Sequence, residues 1–62
     1  MQRLRIEIID QFGSQRKFAQ AVQIHETTIS NIVIGAMEPS VEQQEKISKT
    51  LGLEWDKLIQ QV

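Results

Sequence analysis

With 62 residues the chain has room for one domain, 1–62, whose core is so small that burial must be efficient or helped by a partner. It has no cysteine and one histidine, which excludes disulfides and thiolate metal sites, argues against any metal or cofactor, and suits a reducing interior. Seven basic against eight acidic side chains leave a net charge of −1, and no apolar run approaches the roughly 20 residues needed to span a bilayer or forms the core of a signal peptide, so a cytoplasmic location is expected.

Residues 2 to 11 read as a first helix. Leu4, Ile8 and Phe12 repeat at four, with Ile9 beside them, while Arg3, Glu7, Asp10 and Gln11 fill the other side. Ile6 lies off that stripe and is expected to be half exposed. Gly13 stands where a helix stop belongs. Ser14 can cap a second helix that starts at Gln15 and runs to Ala21 or Val22, with Phe18, Ala19 and Val22 along one face. Gln23 and Ile24 make the turn. Such a turn needs a residue at positive φ, where Gln23 costs about 1 kcal/mol against glycine.

A third helix runs from about Glu26 to Val33, with His25 at its N-cap position. Ile29 and Ile32 face inward, and Ile24 enters from the turn. Thr27, Thr28, Ile29 and Ile32 are β-branched and form helix poorly, so packing must hold this segment. Gly35 ends it, and Ala36 to Pro39 is a loop. Ser40 caps a fourth helix, with Glu42 and Gln43 in its first turn and Val41, Gln44, Ile47 and Leu51 as its inner face. Lys46 and Lys49 lie near its end, and Gly52 closes it. A last short helix, about Glu54 to Gln61, carries Trp55, Leu58, Ile59 and Val62. Five helices with such short connections make a compact all-α bundle.

The stretch Ser14 to Gly35 concentrates the chemistry. Two short helices at a fixed crossing, the second presenting Glu26, Thr27, Thr28 and Asn31 outward, have the geometry that reads base edges in a major groove. Asparagine can pair bidentately with adenine, and a threonine methyl can pack on that of thymine. Glu26 can accept from cytosine N4, or from Gln15. Gln15, Arg16 and Lys17 open the second helix, where free N–H groups and cationic side chains suit a phosphate. The net charge of −1 counts against nucleic acid, since basic domains are the usual footprint, and its distribution softens this only slightly. Residues 1–35 carry four basic (Arg3, Arg5, Arg16, Lys17) and three acidic side chains (Glu7, Asp10, Glu26), a balance of +1. Residues 36–62 carry three basic (Lys46, Lys49, Lys57) and five acidic (Glu38, Glu42, Glu45, Glu54, Asp56), a balance of −2. DNA would therefore meet the front half.

Other residues have plainer readings. His25 is read as the residue preceding a helix, since no nucleophile or base accompanies it and no paired acid and base exists anywhere to support an enzyme. The segment Val33, Ile34, Ala36, Met37 is more apolar than a solvated loop requires. It either packs under the fourth helix or, through Val33, Ile34 and Met37, forms a protein-partner surface. Trp55, Leu58, Ile59 and Val62 must be buried somewhere, over the core or at a two-fold homodimer interface that sets two reading helices one DNA turn apart.

The series Gln15-x3-Ala19-x3-Gln23-Ile24-x4-Ile29-x2-Ile32-x2-Gly35, followed by Pro39-Ser40 and Leu51-Gly52-Leu53, resembles the phage Cro and repressor type helix-turn-helix domain, the XRE-like family, over about residues 4 to 60. The resemblance implies a five-helix, lambda-repressor-like fold, a third helix in the major groove, and dimers on pseudo-palindromic operators. It places Gln15 at the glutamine that contacts phosphate and buttresses the reading helix, and Glu26, Thr27, Thr28 and Asn31 at positions that meet bases or phosphates. The function implied is a sequence-specific transcriptional regulator, a repressor of phage or prophage type. Three features depart from the pattern: Gln23 at the turn, acidic Glu26, and Val33-Ile34-Gly35-Ala36-Met37 where polar and basic residues are usual. Those departures, with the acidic balance, keep a protein–protein module on the same scaffold as the alternative.

Overall fold

Leu4 and Ile8, four residues apart, turn one stripe of α1 (Gln2–Phe12) into the centre of the packing. In this computed structural model, which describes residues 1–59, α1 touches each of the other four helices: α2 (Gln15–Val22), α3 (Glu26–Val33), α4 (Val41–Leu51) and α5 (Trp55–Leu58). Around Leu4 and Ile8 close Phe18, Ala19 and Val22 from α2, Ile29, Ile32 and Val33 from α3, Ile47 and Leu51 from α4, and Leu58 from α5. Phe12 meets Phe18 edge-on, with ring centroids 5.2 Å apart and planes at 70°, a favoured aromatic geometry.

The helix ends follow local chemistry. Gly13 and Gly52 take the left-handed conformation that closes α1 and α4. The Ser14 hydroxyl accepts from the Lys17 N–H at 3.2 Å. Ser40 and Gln43 form a reciprocal capping box at 3.1 and 2.9 Å. Two bonds tie distant ends together. The Gln11 side chain donates to the Leu51 carbonyl at 3.0 Å, and the Met1 nitrogen donates to the Val33 carbonyl at 2.9 Å. Both satisfy carbonyls that a helix C-terminus leaves without an internal partner.

Several expectations change. Ile9 does not join the inner stripe; it is 44% exposed, on the opposite side of α1 with Ile6. Val41 is 70% exposed and not part of the inner face of α4. At 100° per residue it lies roughly a quarter-turn from the row of Gln44, Ile47 and Leu51. Val33 is buried in the core, so it is lost to any partner surface, whereas Ile34 is 70% exposed. Met37 also reaches the surface. Leu58 is fully buried against this chain's own core, which removes it from a two-fold contact; Trp55 is half-buried and Ile59 exposed. The last helix is a single turn within the described residues, and Val62 lies outside them.

Candidate nucleic-acid interface

The turn between α2 and α3 fixes everything presented by α3. Gln23 sits at φ 60°, ψ 39°, in the left-handed region, and its N–H donates to the Ala19 carbonyl. The Ile24 N–H donates to the same carbonyl at 3.1 Å. Ile24 then packs partly under the core, and the chain leaves extended at His25 to start α3. His25 makes no side-chain cap, so the first turn of α3 is not held by a local side chain. Burial of Ile29, Ile32 and Val33 holds the helix instead. Its far end is pinned by its own loop. Gly35, at φ +81°, turns the backbone so that the N–H groups of Ala36 and Met37 both donate to the Asn31 carbonyl, at 2.9 and 3.2 Å.

With three inward positions committed, the remaining residues of α3 have a defined direction. Gln15 from the start of α2 and Glu26, Thr27, Ser30 and Asn31 from α3 line one depression of about 330 Å³. Four expected site residues, Gln15, Glu26, Thr27 and Asn31, thus converge from two helices. Glu26 and Thr27 are exposed and Gln15 and Asn31 half-buried, and all four line the depression. Glu26 and Gln15 share this site, but no hydrogen bond joins them among the described residues. Glu26 also borders a second depression, with Arg16, Gln20, Gln23 and His25. Arg16 therefore lies on the flank of the site. Lys17 is exposed and lines neither depression, and half-buried Thr28 lines neither.

Two residues were not singled out from the sequence. Ser30 completes the face: Thr27, Ser30 and Asn31 stand at i, i+3 and i+4, the spacing that brings side chains together on a helix surface. Gln20 stands one turn beyond Arg16 in the neighbouring depression. Helical spacing alone would have found both.

The arrangement is chemically one of short donors and acceptors beside an anion-ready helix start. The Ser14 cap satisfies the Lys17 N–H and leaves the N–H groups of Gln15 and Arg16 outside the described hydrogen bonds. The described ion pairs are Arg3 with Glu7, at 3.6 Å, and Lys46 with Glu42, at 3.8 Å. Neither engages Arg16 or Lys17. An eight-residue helix is about 12 Å long, a length that a major groove about 12 Å wide accepts.

The helix-turn-helix family model matches residues 13–58, well over half of the chain, from the residue that ends α1 to the last residue of α5. The chain belongs to the Cro/repressor-type, XRE-like helix-turn-helix family. Comparison with curated proteins and with solved structures gives no match. As a member of this family the chain is a DNA-binding helix-turn-helix regulator, and the family is regulatory rather than enzymatic. The match spans α2, the Gln23 turn and α3, so the surface depression belongs to the family's defining unit. No helix among the described residues is long and apolar enough to cross a membrane.

Proposed function

We propose that the chain is a repressor of phage or prophage type, cytoplasmic, that binds a specific double-stranded operator without a cofactor. The observation that carries this reading is the convergence of Gln15 with Thr27, Ser30 and Asn31 on one exposed face. In the proposed complex α3 lies in the major groove. Asn31 and Thr27 contact base edges, Glu26 accepts from a cytosine amino group, and Ser30 and Thr28 contact backbone or water beside them. Gln15 and the open N–H groups at the start of α2 hold a phosphate, with Arg16 and Lys17 alongside. Two copies bind an inverted repeat, with Trp55 and Ile59, next to Met37 and Pro39, as their contact on DNA. Occupancy of a promoter then excludes polymerase.

A second reading rests on specific residues. Glu26 repels phosphate, and Ile34, Ala36 and Met37 lie exposed just beyond α3. Those features favour a protein partner on the same scaffold.

Selection of bound sites from a random DNA pool tests the two readings. The repressor reading expects an inverted repeat, with affinity that falls steeply as salt is raised because phosphate contacts release counterions. Asn31→Ala should reduce discrimination at one base position by about 1–3 kcal/mol while leaving the fold intact. Failure to retain DNA at low salt, or an Asn31→Ala protein with unchanged site preference, would sink it.

A further inference from the structure

α1 has a second apolar stripe that its own fold does not use. Ile6 and Ile9, one turn apart, are 49% and 44% exposed on the side opposite Leu4 and Ile8. Gln2 precedes them, so the outer line within α1 runs 2, 6, 9. Those steps of four and three are the spacing of a coiled-coil seam, with Ile6 at an a position and Ile9 at d. Arg5 and Asp10 flank this line on opposite sides, at the g and e positions. A shallow furrow is lined by Gln2, Arg5, Ile6, Ile9 and Asp10. The first four are the residues that form the hole for an a-position knob in a parallel two-stranded pairing.

We propose that this face of α1 pairs with the same face of a second copy of the chain, the two helices running in the same direction about a two-fold axis. Ile6 meets Ile6 and Ile9 meets Ile9. Arg5 reaches Asp10 of the second copy, and Asp10 reaches its Arg5. Charge sets the direction. In a reversed pairing Arg5 would face Arg5 and Asp10 would face Asp10, which is repulsive; the parallel pairing sets unlike charges together. Both side chains are free for this. Arg5 and Asp10 are exposed, and neither belongs to the described ion pairs.

The furrow and the α2–α3 depression share no lining residue, so the pairing uses none of the residues proposed to contact DNA in that depression. It is equally separate from the surface around Trp55 and Ile59. The contact is one heptad long, with two apolar residues from each copy, so a weak, concentration-dependent equilibrium is expected. It requires no DNA and stands independently of the operator reading.

Sedimentation of the DNA-free full chain over a concentration series tests it. The average mass is expected to climb from one chain toward two as concentration rises. Ile6→Glu, at an exposed helical position, should hold the mass at one chain with an unchanged circular dichroism spectrum. Arg5→Asp and Asp10→Arg should each weaken association severalfold, and the double variant Arg5→Asp with Asp10→Arg should return it to within about twofold of the parent. A one-chain mass at every concentration overturns the proposal. So does association that survives Ile6→Glu but is lost in Ile59→Glu, or a double variant no better than either single one.

Discussion

α3 and α4 reach the same helical state by different routes. α4 has eleven residues, a reciprocal Ser40–Gln43 capping box, Glu42 in its first turn, Lys49 in its last and Gly52 to close it. Each feature is local and favours helix before any tertiary contact forms. α3 has eight residues, five of them β-branched at Thr27, Thr28, Ile29, Ile32 and Val33, and no side-chain cap. It is helical because Ile29, Ile32 and Val33 are buried and because its last turn is tied to Gly35–Met37. This division leaves the outward residues of α3 with no duty in holding the helix. Thr27, Ser30 and Asn31 can serve recognition without costing the scaffold much.

The strongest way to break that comparison is to remove packing from α3. Ile32→Ala deletes a fully buried side chain between α3 and the α1 core and should destabilise the chain by about 2–5 kcal/mol, measured by urea unfolding. For a chain of this size that is a large part of the total, so α3 and the rest of the fold should melt together. A variant that lost DNA binding yet kept its unfolding midpoint would show that α3 does not depend on the core in this way.

A smaller effect is expected from the opposite manipulation. Ser40→Ala removes half of the capping box on α4 and should cost about 1 kcal/mol. DNA affinity should not change at temperatures where the chain stays folded, since Ser40 lies away from the α2–α3 depression. Equal losses of stability in Ser40→Ala and Ile32→Ala would erase the contrast between a capped helix and a packed one.

The same division explains what was legible in the sequence. Ser14, Ser40, Gly13 and Gly52 act on their nearest neighbours, so their roles could be read directly. The inward row of Phe18, Ala19, Val22, Ile29 and Ile32 could be read because two short helices leave few ways to close on α1. Ile9 and Val41 could not, because which apolar residue of a helix faces in depends on where its neighbours lie. Ile9 sits only one position from Ile8 yet falls on the other stripe. Val33 and Ile34 are adjacent and equally apolar, and only the path of the chain after α3 separates buried from exposed. At the site, Gln15 with Thr27 and Asn31 was legible as a constellation. Ser30 was legible too, because Thr27 and Asn31 were already read as outward and helical spacing puts position 30 beside them, although a serine inside a helix carries no signal of its own.

The smallest effect concerns the residue that sets the angle between α2 and α3. Gln23 holds φ 60° with a side chain, where a non-glycine residue pays roughly 1–2 kcal/mol. Gln23→Gly relieves that strain but gives the unfolded chain more freedom, which offsets about 0.4–1 kcal/mol. The net expectation is a stabilisation of about 0–1.6 kcal/mol, centred below about 1 kcal/mol and seen as a small rise in urea midpoint. Gln23 also lines the depression that holds Arg16, Gln20 and Glu26, so its side chain stands beside the proposed DNA face. If strain at this position is retained for contact, Gln23→Gly should gain stability and lose some DNA affinity together. A variant that gains stability with undiminished affinity would show that Gln23 serves the turn alone.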